Sequence, residues 1–226
     1  MKVKLRGLYG MVDLAPGGRP AGRLARALLD GGVTVLQLRM KAASAAAMLA
    51  VLDELRPLCR LRGATLIVND RLDVALAGGA DGVHLGQEDL PLAAARAIAA
   101  AQGPAHFAIG ISTHNEAQVL AAADGGADYV GFGPIFPTVT KVRPDPVVGI
   151  AGLERTCRRL ATVKPLPIVA IGGIALDEVA QIAAAGASAV ALISEVNFAP
   201  DVAAAARRVN QEFERGTAAH ANEVRA

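Results

Sequence analysis

Short apolar runs rich in Val, Ile and Leu alternate along the chain with longer Ala/Leu-rich stretches that carry charges at helical spacing. The runs predict strands over residues 8–12, 33–38, 65–68, 82–85, 107–111, 129–132, 168–171 and 189–193. Their unbroken apolarity suits parallel strands buried on both faces. Between them the spacing predicts helices over 22–30, 43–61, 92–101, 116–123, 153–161 and 176–185. Gly follows several of these, at Gly31-Gly32, Gly78-Gly79, Gly125-Gly126 and Gly186, as expected where a helix ends in a left-handed residue. A weak echo links Gly79-Ala80-Asp81-Gly82-Val83, Gly126-Ala127-Asp128-Tyr129-Val130 and Gly186-Ala187-Ser188-Ala189-Val190. The repeated unit predicts an α/β fold, a single-domain (β/α)8 TIM barrel, in preference to a doubly wound sheet. The barrel is expected over residues 1–212, with 213–226 a helix end or disordered tail. Residues 134–149 hold four prolines and are too long for an ordinary link, which predicts a functional loop.

Composition narrows the picture. The 226 residues suffice for one domain with a well-buried core, and 53% hydrophobic against 19% charged residues excludes a disordered chain. With no Trp and 3% aromatic residues, that core must be Ala, Val, Leu and Ile. A net charge of +2, without basic runs or aromatic interleaving, argues against nucleic acid. Cys59 and Cys157 are expected as reduced thiols. No N-terminal apolar h-region is present, and no apolar stretch reaches the roughly 20 residues that span a bilayer. A soluble cytoplasmic protein without a membrane partner is the expectation.

In a barrel every strand ends at the same mouth, where active sites of this fold sit. Arg39, Lys41, Asn69, Asp70, Asp89, Ser112, Thr138, Thr140, Lys141, Gly173 and Ser194 would converge there. Gln37, Arg39 and Lys41 alternate along one strand face, and an Arg fork with a flexible Lys can grip a diphosphate; the plain alternative is a solvated strand end. Asp70 and Asp89 follow adjacent strands, and Mg²⁺ needs only one or two carboxylates beside water and phosphate oxygens. The alternative for each is a helix cap, Asp70 before a helix at Arg71 and Asp89 before one near Pro91. Thr138, Thr140 and Lys141 would clasp a phosphate, or belong to a merely proline-stiffened loop. Ile171-Gly172-Gly173-Ile174 and Ile193-Ser194 fall where many barrels hold phosphate on backbone N–H groups. His84 reads as a wall histidine, and His114 as an acid–base group or part of a helix N-terminus. No Ser-His-Asp or Cys-His set is apparent, so no acid, base or nucleophile is assigned.

Six motifs occur here in one order: Gln37-Leu38-Arg39-Met40-Lys41, Val68-Asn69-Asp70-Arg71, His84-Leu85-Gly86-Gln87-Glu88-Asp89-Leu90-Pro91, Ile111-Ser112-Thr113-His114, Gly133-Pro134-Ile135-Phe136-Pro137-Thr138-Val139-Thr140-Lys141 and Ile171-Gly172-Gly173-Ile174. Over roughly residues 8–200 the chain resembles the thiamine-phosphate synthase (thiamine-phosphate pyrophosphorylase) family. The resemblance implies condensation of hydroxymethylpyrimidine diphosphate with thiazole phosphate, or its carboxylated form, to thiamine phosphate, with diphosphate leaving in a dissociative substitution. It implies Gln37, Leu38, Arg39, Met40, Lys41, Asn69, Ser112 and Lys141 around the pyrimidine diphosphate. Thr138, Thr140, Gly173, Ile193 and Ser194 would take the thiazole phosphate, and Asp70 and Asp89 one Mg²⁺ per subunit. Catalysis would be electrostatic, through Arg39, Lys41, Lys141 and Ser112. Small phosphorylated molecules are the implied partners, and a homo-oligomer is compatible with them. A thiazole tautomerase-like relative shares the barrel but has no use for the diphosphate apparatus. A non-catalytic sensor of thiamine precursors would bind without turnover, and a phosphosugar isomerase would share only the fold. Glu195, directly after Ser194, sets a carboxylate beside the phosphate positions and would oppose an anion unless it points away.

Overall fold

The computed structural model describes residues 3–13, 18–138 and 145–223. Eight strands, β1 (Tyr9–Asp13), β2 (Val35–Arg39), β3 (Thr65–Asn69), β4 (Gly82–Leu85), β5 (Ala108–Thr113), β6 (Tyr129–Phe132), β7 (Ile168–Ile171) and β8 (Ala189–Ala191), form one sheet in sequential order. Every pairing is parallel. A bridge from Leu8 to Val190 returns the last strand to the first, so the sheet closes as a (β/α)8 barrel in a single domain. Boundaries follow the apolar runs closely. β5 runs on to Thr113, and β8 stops at Ala191 because a short helix opens at Ser194.

The helices are α1 (Ala21–Asp30), α2 (Ala45–Arg62), α3 (Leu72–Ala77), α4 (Leu92–Gln102), α5 (Glu116–Asp124), α6 (Gly149–Val163), α7 (Val179–Ala184), α8 (Ser194–Asn197) and α9 (Val202–Glu223). A single 3-10 turn, Leu176–Glu178, precedes α7. Local chemistry explains their ends. The Ser44 hydroxyl accepts the Ala47 N–H at the start of α2, and Gly63 closes it at φ 62 with Arg60 and Arg62 in the last turn. At α5, Asn115 accepts the Gln118 N–H while Gln118 accepts the His114 N–H, a reciprocal cap.

The internal echo has a structural cause. Asp81, Asp128 and Ser188 each enter a strand by donating a backbone N–H to the preceding strand, at Leu66, Ile109 and Ile168. The two Asp side chains also accept from Leu66 N and Ile109 N, at 2.8 and 2.7 Å. The repeat therefore encodes strand register at the end of the barrel opposite the mouth.

Two apolar regions result. Outward-facing strand residues such as Leu36, Leu38, Val68 and Val83 pack against the helices, and each such buried Leu or Val contributes roughly 1.5–3 kcal/mol. Inward-facing Tyr9, Met11, Val35, Ile67, Ala108, Tyr129, Val169, Ala189 and Ala191 fill the barrel, in the layers that alternate positions of parallel strands produce. α9 seals the lower rim: Asn210 accepts from Leu8 N and donates to Gly31 O. At Gly216 it crosses α7 so closely that a Cβ would stand 2.0 Å from Ala180 O. Among the described residues no helix is long and apolar enough to cross a membrane.

Candidate active site

Period-two alternation decides which side chains reach the mouth. On β2, Gln37 and Arg39 face inward, while Leu38 and Met40 turn to the helix layer and leave only backbone at the rim. Arg39 pairs with Asp13, at the end of the neighbouring strand β1, at 2.5 Å. Asp13 was not among the residues singled out from sequence, although it obeys the same strand-end logic. The pair is partly shielded, with side-chain exposures of 21% and 17%, so the guanidinium is oriented before any ligand arrives. Lys41 is exposed just beyond.

Neither Asp70 nor Asp89 caps a helix. α3 begins at Leu72 behind Arg71, and α4 at Leu92 behind Pro91, with no side-chain cap on either. Asp70 instead sits at φ 65, the one non-glycine residue with positive φ among those described. That is a sparsely populated conformation of the kind that collects at functional sites. Asp89 folds back to accept the Gly86 N–H at 2.6 Å. The two carboxyls are near enough for each charge to be felt by the other. Burial and the Asp89 carboxylate together push Asp70 up to about 6, against the opposing pull of Lys41 and Arg39. Half-buried carboxylates that repel one another beside two cations fit a divalent ion, which needs oxygen donors and would relieve that repulsion. Among the described residues no cluster of three or more His, Cys, Asp or Glu stands ready for a metal.

Below this rim lies a continuous polar chain. Gln37 Nε2 donates to Asn69 Oδ1 at 2.6 Å, and Tyr9 donates to Gln37 Oε1 at 2.7 Å. The Tyr9 and Tyr129 hydroxyls are 2.8 Å apart. His84 bridges Tyr129 (3.2 Å from Nδ1) and Ser112 (2.9 Å from Nε2). Glycines make the room: a Cβ on Gly110 would stand 2.2 Å from the Tyr129 ring and 2.6 Å from His84 Nδ1. Burial drives the His84 pKa down to about 4, so the ring is neutral. The sequence marked His84 as a wall histidine but offered no sign of its partners, which lie 28 and 45 residues further along the chain.

The far side of the mouth is made of backbone. The loop after β6 zips onto the end of β7 through Ile135 N to Ile171 O and Phe136 N to Gly172 O, both 3.0 Å. Gly173, at φ 66, lies so close to this loop that a Cβ would be 2.3 Å from Pro137 O. The arrangement sets Pro137, the residue before Thr138, against Gly173, with Ile193 and Ser194 following β8. Thr140 and Lys141 lie outside the described residues. Glu195 accepts the Leu176 N–H at 3.0 Å, so its carboxylate is tied to the loop after Gly173. His114 is held by Gly133 O at 2.7 Å from Nδ1, and its Nε2 lies 3.5 Å from Asp145.

Comparison with known proteins gives one consistent answer. Residues 8–196 match the family model described as thiamine monophosphate synthase. The chain is 48% identical to thiamine-phosphate synthase of Methanospirillum hungatei over 204 residues, covering 89% of this chain and 95% of the relative. It is 46% identical to that of Chlorobium phaeovibrioides, covering 87% and 90%. Among solved structures, thiamine phosphate pyrophosphorylase from Pyrococcus furiosus superposes with a TM-score of 0.83 at 35% identity, covering 95% of this chain and 98% of that one.

Proposed function

The chain belongs to the thiamine monophosphate synthase family, a family of transferases, and from that premise we propose that it joins hydroxymethylpyrimidine diphosphate to thiazole phosphate or its carboxylated form. The observation that carries this reading is the Asp70–Asp89 carboxylate pair set against Arg39 and Lys41 at one rim of the barrel. Such a rim suits a magnesium diphosphate, with carboxylates for the ion and cations for the phosphate oxygens. Asp70 and Asp89 would hold Mg²⁺, and the bound ion would neutralise charge on the departing diphosphate.

Arg39 stays oriented by Asp13 and keeps its remaining N–H groups for phosphate. Asn69 and Ser112 would be neutral partners of the diphosphate at the mouth, beside the Leu38 and Met40 backbone, with Gln37 holding Asn69 from below. Lys141 would supply a further cation for the diphosphate. On the far rim Thr138, Gly173, Ile193 and Ser194 would hold the thiazole phosphate through hydroxyls and backbone N–H groups, and the Thr140 hydroxyl is assigned to the same phosphate. The substitution is dissociative: diphosphate departs first, and the thiazole nitrogen attacks with its own lone pair. No protein base or nucleophile is needed, so the chain's work is electrostatics and positioning.

Purified protein given both precursors and Mg²⁺ should release diphosphate in step with thiamine phosphate, and chelation should stop both. Folded protein that binds the precursors without releasing diphosphate would be a sensor, and the synthase reading would be lost.

A further inference from the structure

Six side chains from six strands, Asn69, Gln37, Tyr9, Tyr129, His84 and Ser112, form one hydrogen-bonded file through the barrel interior. Gln37, Tyr9, Tyr129 and His84, between the ends, are buried. The two ends are neutral side chains at the mouth, on β3 and β5.

With the Gln37 oxygen turned to Tyr9 and its N–H to Asn69, donor counting sets the direction of the file. A tyrosine hydroxyl has one proton, and that of Tyr9 goes to Gln37 Oε1. Tyr9 must therefore accept from Tyr129. Tyr129, its proton spent, must accept from His84 Nδ1–H. A neutral imidazole protonated at Nδ1 has a lone pair at Nε2, so the Ser112 hydroxyl donates to it. At the opposite end, Asn69 receives the Gln37 N–H on its oxygen and turns its own N–H groups away. The free protein thus offers donors at Asn69 and lone pairs at Ser112.

We propose that Tyr9, Tyr129 and His84 are positioning residues that hold Asn69 and Ser112 in opposite hydrogen-bonding senses, and that a diphosphate which recruits Ser112 as a donor reverses the whole file. In the reversed state Ser112 donates outward and His84 carries its proton on Nε2. The tyrosine hydroxyls turn round, and the two amides flip so that the Asn69 oxygen faces the Asp70 side. The proton count is unchanged: Nε2 takes the Ser112 proton, which solvent at the mouth replaces, while the Nδ1 proton passes to the Tyr129 oxygen and one proton leaves the tyrosine pair to solvent as the amides flip. A donor-to-acceptor change at Asn69 is thereby tied to anion capture at Ser112, two strands along the rim, through a file that runs by way of the barrel interior. The reversal rests on the diphosphate reading above; the resting direction does not.

The tautomer of His84 reports the direction. In ¹⁵N-labelled free protein, long-range ¹H–¹⁵N spectra should show His84 protonated at Nδ1, and excess Mg²⁺ with inorganic diphosphate should move the proton to Nε2. Tyr129→Phe removes the acceptor at Nδ1 and should leave Nε2–H with or without diphosphate. Tyr9→Phe, which keeps Tyr129 in place, should weaken the Nδ1 preference of the free protein. Nε2–H in the free wild type, or an Nδ1–H signal indifferent to both substitutions, overturns the resting direction. An unchanged tautomer with diphosphate shown to be bound overturns the reversal. Failure of Mg²⁺-diphosphate to bind at all overturns the proposed function and the reversal with it, while the free-protein spectrum still decides the resting direction.

Discussion

From β1 to β4 the rim of the barrel presents Asp13, Arg39, Lys41, Asp70 and Asp89, side chains whose charges face one another. From β6 to β8 it presents glycines and backbone, with Gly172 and Gly173 at φ 100 and 66 and Glu195 tied to Leu176 N. The first half is electrostatically tense and adjustable: each charge there has a partner that another ion can displace. The second half is set by chain geometry, where loop and strand end approach too closely for a side chain. One rim suits a ligand whose charge changes during reaction, and the other suits a phosphate that only needs to be held.

Substitutions should break the two halves differently. The largest effect is expected from Asp89→Ala, which should lower turnover by about 100- to 1,000-fold in steady-state assays while thermal unfolding stays near wild type. Unchanged turnover would show that Asp89 serves only its Gly86 turn. Next, Gly173→Ala puts a Cβ against Pro137 O at a φ that L-residues resist, and should cost about 1–3 kcal/mol in denaturant unfolding. Its kinetic defect should be confined to the thiazole phosphate KM.

Acid should sharpen the contrast further. Because Asp70 is held near 6 rather than its usual value near 4, it keeps a proton in the metal-free fold that the unfolded chain has lost. Its contribution to stability is therefore full below about pH 4 and disappears as pH rises through about 6. Mg²⁺ must displace that proton, so Mg²⁺ affinity should weaken by up to about tenfold per unit below pH 6. Calorimetric titrations from pH 5 to 8 would check this; a flat profile would remove Asp70 from the metal site. The smallest effect belongs to Glu195→Gln, which keeps an oxygen for Leu176 N but drops the charge. It should lower the thiazole phosphate KM by roughly two- to fivefold, the scale of an exposed charge pair, and leave the other substrate's KM unchanged.

Legibility in the sequence divides along the same line. The strands were readable because parallel strands buried on both faces need unbroken apolar runs, and the rim charges were readable because they end those runs. Capping remained an open reading for Asp70 and Asp89 because sequence spacing cannot reveal that Asp70 adopts φ 65 and that Arg71 and Pro91 precede the helices. The Asp13–Arg39 pair needed the β1–β2 register, which joins residues 26 apart. The interior file was least legible of all. Tyr9, Gln37, His84 and Tyr129 each sit singly in an apolar strand and meet only when the barrel closes. Gly110 and Gly131, which clear space around the His84 ring, were the available hint.

The central claim is that the charged half of the rim binds a magnesium diphosphate through Asp70 and Asp89. Isothermal titration of inorganic diphosphate into wild-type protein, with and without Mg²⁺, tests it most directly, with Asp70→Asn and Asp89→Asn run in parallel. The account predicts saturable binding that requires Mg²⁺ in the wild type and is lost in both variants. Binding of equal strength without Mg²⁺, or undiminished in both variants, would contradict it.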